Sequence, residues 1–351
     1  MKILMVSNMY PSASDVYFGS FIRNIKEGFE VNGCEVDLIA IKGQGVGILD
    51  KVKKYLSFYL AILRVNLNDY DIVHISYPSH TYLPFIVKKF GKCKKVIRLH
   101  GLEIVSDKKN DKLLRLRKFF TRISCLNVNT IVVPSRYFKN EAKKTCGDKK
   151  YYTYPSGGID TKRFHITNEY TDREHDLLNI GCVGRVDVLK GVDKLIKSLA
   201  SVEFPYHLHI IGKGPLLEEM KSLAHELDVN ATFYGAIDNH KLIEYYNKFG
   251  VFVFPTERPG ESFGNVALEA MICGLPLIGS RFAGVTEYLD DEKNGLFFEK
   301  GNVEDLNRKL VKFNHMDIKE KSDMSQCAKL SALKFEKNKI SKEFVDYMCN
   351  L

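Results

Sequence analysis

Short runs of aliphatic and β-branched residues recur through the first half of the chain, at Lys2–Val6, Glu35–Ile41, Asp71–Ser76, Lys95–Leu99 and Thr130–Val133. Their length and composition are those of buried strands. Helix-length segments such as Phe21–Val31 and Leu113–Leu126 fall between them. Strands alternating with helices build a parallel sheet covered on both faces. The second half repeats the pattern, with strands expected at Leu178–Val183, His207–Ile211, Thr232–Tyr234, Val251–Phe254 and Pro276–Ile278. Val192, Leu195, Ile196 and Leu199 share one helix face between the first two,. A polar stretch, Thr161–Asp176, separates the two series. The pattern predicts an α/β protein of two doubly wound, Rossmann-like domains, residues 1–160 and 178–330, joined by a linker over 161–177 and facing each other across a cleft. Apolar positions at 333, 340, 344, 345 and 348 predict a terminal amphipathic helix within 331–351. Ligands of such sheets bind beyond the carboxyl ends of strands, which directs attention to the loops that follow them.

Composition narrows the class. The 351 residues are 45% hydrophobic and 27% charged, which excludes a disordered chain and a fibrous repeat,. The longest uncharged, mostly apolar run, Tyr55–Leu63, is about half of the ~20 residues that a membrane-spanning helix needs. Ile3–Val6 is too short for a signal-peptide core and is followed by Asn8 and Pro11,. The eight cysteines include no CxxC pair and read as reduced core residues of a cytosolic protein,. The net charge of +9 is unevenly divided: residues 1–170 carry 29 Lys and Arg against 15 Asp and Glu, the remainder 23 against 28. A basic first half suits an anionic partner, whether nucleic acid, a membrane surface or a phosphorylated substrate.

The sharpest chemical signal lies at 257–269, where an expected strand runs into a glycine-bearing loop and a helix expected to start near Ser262. Backbone N–H groups at a helix start favour an anion or a polar ligand. Glu261 sits in that loop, with Glu269 two turns along the expected helix. Glu261 could serve merely as a dipole partner and Glu269 as a solvated residue. Glu269, however, is flanked by Ala267–Leu268 and Ala270–Ile272, an apolar setting in which an unpaired carboxylate is costly,. A second loop, Gly184 to Gly191, places Arg185 and Lys190 five residues apart after a strand, a pair suited to a diphosphate,. Gly212-Lys213-Gly214-Pro215 is a weaker loop of the same kind,. In the first half, His100-Gly101 ends a strand, and Tyr17-Phe18-Gly19-Ser20-Phe21 lies in the loop after the first one. Gly19 would let backbone approach a ligand closely.

In order along the chain, Gly19-Ser20-Phe21, His100-Gly101, Pro155-Ser156-Gly157-Gly158 with Arg163-Phe164, Gly184-Arg185 with Lys190-Gly191, Gly212–Pro215 and the Glu261–Glu269 spacing together resemble glycosyltransferase family four. That family comprises retaining enzymes of GT-B fold, and the resemblance is to its bacterial surface-polysaccharide type. The resemblance implies that Arg185 and Lys190 neutralise the diphosphate of a nucleotide sugar and that Glu269 accepts hydrogen bonds from the ribose. It implies that Glu261 holds sugar hydroxyls, and that the N–H groups of Phe263, Gly264 and Asn265 lie near the phosphate. Gly212 would line the donor site, Gly19 would admit the diphosphate, and His100 would contact the sugar near its anomeric carbon. It also implies a terminal helix that returns to the first domain. Glu103 stands where the family often has Asp, Ser156 where it often has Asn, and the Gly19 loop has one glycine where many members have two.

The expected reaction is transfer of a hexose or N-acetylhexosamine, from a UDP-sugar in preference to GDP-mannose, with retention and with no metal or other cofactor. Asp69-Tyr70-Asp71 has DxD spacing but precedes a strand, so it reads as a turn. A dehydrogenase would need a glycine fingerprint after the first strand, where Asn8-Met9-Tyr10-Pro11 stands instead,. No nucleic-acid module accompanies the basic residues. A nucleotide-sugar 2-epimerase and a non-catalytic sugar- or nucleotide-binding protein are the remaining alternatives. Lys112, Arg115, Lys118 and Arg122 fall within about 120° on a helical wheel, with Leu113, Leu116, Phe120 and Ile123 on the adjoining arc and Lys108 and Lys109 ahead of them. A basic flank beside an apolar stripe suits anionic lipid. The expectation is a cytoplasmic enzyme held at the inner membrane surface and acting on a lipid-linked glycan.

Overall fold

The computed structural model describes residues 1–15, 18–108, 110–155, 157–173 and 177–351. Tyr17, Lys109, Ser156 and positions 174–176 of the expected linker lie outside them. The chain divides into two compact units, Met1–Gly158 with Lys337–Leu351, and Ile159–Glu336.

Unit 1 holds strands β1 (Lys2–Tyr10), β2 (Glu35–Lys42), β3 (Ile72–Ser76), β4 (Lys94–Arg98), β5 (Thr130–Val133) and β6 (Tyr151–Thr153). They form one parallel sheet in the order β2-β1-β3-β4-β5-β6. Its helices are α1 (Ser20–Val31), α2 (Gly47–Arg64), α3 (Pro78–Thr81), α4 (Leu114–Ser124) and α5 (Arg136–Cys146), with the terminal helix Lys337–Cys349. Because side chains alternate along a strand, the sheet buries two different sets. Ile3, Met5, Ile72, Val96 and Val132 pack with Ile22, Ile25 and Phe29 of α1 and with Ile340, Phe344, Val345 and Met348 of the terminal helix. Leu4, Val6, Val73, Ile75, Ile97 and Ile131 pack on the other face with Phe58 and Ile62 of α2 and Phe138 of α5.

Unit 2 repeats the plan with β7 (Leu178–Val183), β8 (Tyr206–Ile211), β9 (Ala231–Gly235), β10 (Val251–Phe254), β11 (Leu277–Ser280) and β12 (Gly295–Phe298). Their order is β12-β11-β10-β7-β8-β9, again all parallel. Helices α6 (Val192–Leu199), α7 (Leu217–Glu226), α8 (Leu242–Tyr246), α9 (Asn265–Ile272), α10 (Val303–His315) and α11 (Ile318–Leu333) complete it, which makes the terminal helix α12. The doubly wound class therefore stands in both units.

Several expected boundaries move, for physical reasons. The stretch read as a linker is folded into unit 2 as far as residue 173: Phe164, Tyr170 and Arg173 are buried there. Arg173 can be buried because its guanidinium donates to the carbonyls of Asn168 (2.9 Å) and Cys273 (2.8 Å) and to Asn247 Oδ1 (3.1 Å). The terminal helix expected within 331–351 begins only at Lys337, since α11 runs to Leu333 and belongs to unit 2. Helix α9 starts at Asn265 rather than near Ser262, behind Gly264 at φ 77°. Six cysteines are buried as expected of core residues, whereas Cys327 and Cys349 are exposed.

Phe344 is fully buried and stacks on Tyr152 and Tyr154. Phe344→Ala should therefore cost about 3–5 kcal/mol in urea unfolding. A loss below about 1 kcal/mol would show that α12 does not complete the unit 1 core.

Candidate functional site

Backbone hydrogen bonds draw the loops after β7, β8 and β10 together. Val186 N–H donates to the Lys213 carbonyl (3.0 Å), Leu216 N–H to the Val186 carbonyl (3.3 Å) and Glu257 N–H to the Leu189 carbonyl (2.8 Å). Such closeness excludes side chains at the crossings. A Cβ on Gly191, whose φ is +71°, would stand 2.1 Å from the Pro255 carbonyl oxygen,. One on Gly212 would stand 1.8 Å from the Gly184 carbonyl oxygen, so this expected donor-site glycine serves the packing of two loops.

Within this cluster Lys190 Nζ lies 2.5 Å from Glu261 Oε2. Thr256 Oγ1 donates to the same oxygen at 3.4 Å, and the ammonium sits 5.4 Å from the centre of the Phe254 ring. Glu261 is 7% exposed. The expected phosphate cation and the expected sugar-binding carboxylate thus form one shielded ion pair. Arg185 is placed differently: 68% of its side chain is exposed, and its Nε lies 3.3 Å from Asp187 Oδ2.

Phe263, Gly264 and Asn265 form the entry to α9. The Phe263 ring is buried against Tyr288 and Phe335, and the Tyr288 hydroxyl donates to the Phe263 carbonyl at 3.0 Å. The N–H groups of Phe263, Gly264 and Asn265 have no acceptor among the described residues. The first N–H groups of a helix lack intrahelical partners, and they suit an anion. Glu269 is the fifth residue of α9, little more than one turn in. The Tyr246 hydroxyl donates to its Oε2 at 3.2 Å, and Arg163 Nη1 donates to Asn239 Oδ1 at 2.7 Å. Burial pushes the Glu269 carboxyl up to about 7, opposed by Tyr246, Arg163 and Asn239. Tyr246, Asn239 and Thr256 carry no sequence signal of their own; only the fold brings them to the two glutamates.

In unit 1, His100 follows β4 and stacks on Tyr77, centroids 4.2 Å apart and planes at 13°, with the Phe21 ring at 5.0 Å. Its Nε2 is buried without a partner among the described residues. Burial, then Arg98 and His74, hold its pKa well below the ordinary value. Both effects favour the neutral imidazole. Glu103 is buried and accepts from the N–H groups of His100 (3.2 Å) and Gly101 (2.8 Å), so it braces the His100 loop. Gly19 caps α1 at φ 71°, where a Cβ would meet the Met9 carbonyl carbon at 2.9 Å. Asp69 ends the single-turn helix Leu67–Asp69 and Asp71 lies before β3, where it accepts from Lys2 N–H at 2.7 Å. Among the described residues no group of three or more His, Cys, Asp or Glu is placed to hold a metal ion.

Residues 19–163 match the family model described as Glycosyltransferase Family 4, and residues 170–331 match that of Glycosyl transferases group 1. The chain is 24% identical over 330 residues to an uncharacterized glycosyltransferase of Methanocaldococcus jannaschii, covering 89% of this chain and 88% of that one. It is 31% identical over 168 residues to the capsular polysaccharide biosynthesis glycosyltransferase CapM of Staphylococcus aureus, covering 45% and 43%. In fold it is similar to sucrose-phosphate synthase from Thermosynechococcus elongatus, with a TM-score of 0.80 at 17% identity over 100% of this chain and 98% of that one.

Lys190→Met leaves Glu261 without its cation and should lower the unfolding free energy by about 1–3 kcal/mol. The double change Lys190→Met with Glu261→Met should lose less than the two single losses combined. Additive losses in a urea-denaturation cycle would mean that the pair is not coupled.

Proposed function

We propose, from the premise that this chain is a glycosyltransferase of GT-B fold related to the family 4 and group 1 families, that it moves a hexose or N-acetylhexosamine from a nucleotide diphosphate sugar to a glycan, with retention. The observation that carries this is the Lys190–Glu261 pair in the same loop cluster as three acceptorless N–H groups. A cation and helix-start amides suit a diphosphate, while the carboxylate suits sugar hydroxyls. Exposed Arg185 is a second phosphate cation. Glu269 accepts from the ribose, and neutral His100 is suited to hydrogen bond the donor sugar. The bond from the anomeric carbon to the diphosphate breaks with its electron pair leaving on phosphate. The acceptor hydroxyl attacks from the same face and gives its proton to the departing phosphate oxygen. Lys190, Arg185 and the amides stabilise the leaving charge without a metal.

The donor is UDP-linked in preference to GDP-mannose, and the acceptor is a lipid-linked glycan of polysaccharide assembly at the cytoplasmic membrane face. CapM, named for capsular polysaccharide biosynthesis, supports the pathway class. Helix α4 supports the location. It buries Thr121 and Ser124 while Leu113, just before it, and Leu116 and Phe119 within it are exposed beside Lys112, Arg115, Lys118 and Arg122. Phe120 and Ile123, expected on the apolar stripe, are half-buried. No helix among the described residues is long and apolar enough to cross a membrane.

Product stereochemistry by NMR tests the reaction: retention is expected, and an inverted product refutes it. Arg185→Ala should cut turnover by roughly 10²-fold, and EDTA should leave activity intact. Undiminished turnover or abolition by EDTA contradicts the scheme. Calorimetric titration should favour UDP over GDP, and a preference for GDP would transfer the donor assignment to GDP-mannose. Because the Glu269 carboxyl lies at about 7, it loses an acceptor as pH falls through that value. UDP affinity should then decline more steeply in the wild type than in Glu269→Gln. Parallel pH profiles would remove Glu269 from the ribose.

A further inference from the structure

Unit 1 presents an apolar surface that the donor chemistry does not use. Helix α2 buries Phe58 and Ile62, yet Ile48, Leu49, Val52, Leu56, Leu60 and Leu63 are all exposed. At about 100° per residue these six fall within about 120° of arc, and at ~1.5 Å per residue they run for about 22 Å. An ordinary surface helix turns its apolar stripe inward and polar residues outward. Here the outward face is apolar as well. Leu83, Ile86 and Val87, in the single-turn helix Leu83–Val87, are also exposed, Val87 at 77%. Lys88 ties that segment to α2 by donating to the carbonyls of Leu63 (3.0 Å) and Val65 (2.6 Å). A cavity lined by Ile86, Lys92, Lys94, Ile123 and Leu126 joins this segment to the end of α4.

Monomers rarely expose contiguous apolar surface on this scale. The charges beside it have one sign. Lys53 and Arg64 border the stripe at about 20–40° beyond its edge, and exposed Lys89 lies two residues past Val87. Asp50, the one acid in α2, accepts from Val46 N–H at 2.9 Å and lies 3.7 Å from Lys54.

We propose that α2 lies in the interface of an anionic bilayer, with its leucine stripe in the acyl boundary and Lys53, Arg64 and Lys89 among the headgroups. Amphipathic interfacial helices bind in this way, by buried apolar area and attraction to anionic lipid together. Charge selects lipid over a second copy, because self-association would bring like cations together while an anionic bilayer complements them. The inference rests on the membrane-proximal acceptor reading for its partner and adds the element that inserts.

The test uses the full chain with vesicles of phosphatidylcholine alone or mixed with phosphatidylglycerol. The chain has no tryptophan, so Leu56→Trp supplies a single reporter. Its emission should shift to the blue on adding the mixed vesicles, and a triple change of Leu49, Leu56 and Leu60 to Ser should weaken vesicle partitioning by at least about tenfold. These positions are exposed, and circular dichroism checks that the variants fold. Three outcomes overturn the proposal. If the triple variant still binds while Lys112, Arg115, Lys118 and Arg122 changed together to Ser do not, docking runs through α4 alone and the membrane reading survives. If the wild type ignores mixed vesicles, both fall. If size-exclusion chromatography shows a dimer that the triple variant loses, a second copy covers the face. Vesicle binding as expected, with transfer only to a soluble glycan, would sink the acceptor reading and leave the docking intact.

Discussion

Unit 2 depends on holding a cation and a carboxylate together where both are largely shielded from water. Lys190 and Glu261 come from loops 71 residues apart and meet at 2.5 Å. Either charge alone in that recess would be costly. Together they satisfy each other, and each remains an ionic group that a ligand of matching chemistry can engage. Most of what surrounds the pair reads as the structure required to hold it. Gly191 lets the Lys190 loop close on Pro255, Thr256 donates to the carboxylate, and the Phe254 ring lies near the ammonium.

The parallel sheet supplies the rest. Three adjacent strands, β10, β7 and β8, end on the same side, so their loops share one place without any long excursion of chain,. The same rule acts in unit 1, where β4 delivers His100 and the buried Glu103 fixes the loop that carries it. Burial pushes the Glu103 carboxyl up to about 7. The bracing bonds from two N–H groups act against that shift. Glu103, which stands where the family often has Asp, is in structure a clasp on the His100 loop.

What the sequence made legible follows from physics that is local. Thr130–Val133, Leu178–Val183 and Val251–Phe254 are strands at the residues expected, because short β-branched runs in buried parallel sheets have no competing periodicity,. Arg185, Lys190 and Glu261 lie on loops that follow such strands, as their positions in the sequence predict, and Glu269 lies within α9. The pairing of Lys190 with Glu261 was not legible, because it depends on how far two loops close. Nor was the burial of Arg173: a polar stretch looks like a linker until Asn247 and two carbonyls are seen to receive it. Edge strands β6 and β12 carry a weaker sequence signal, one short and half-buried, the other beginning at a glycine. Helix α2 was visible only as an apolar run too short for a membrane span. Its outward-facing leucines emerge once the sheet shows which side is already covered.

The central claim is that the Lys190 loop receives the diphosphate of a nucleotide. Calorimetric titration of the wild type and Lys190→Ala with UDP and with UMP tests it most directly. Saturable binding of UDP by the wild type is expected, stronger than that of UMP. In Lys190→Ala, UDP affinity should fall by at least about tenfold, the scale of one charge-assisted hydrogen bond, while UMP affinity changes little. Equal UDP affinity in the two proteins, or no preference of the wild type for UDP over UMP, would contradict the account.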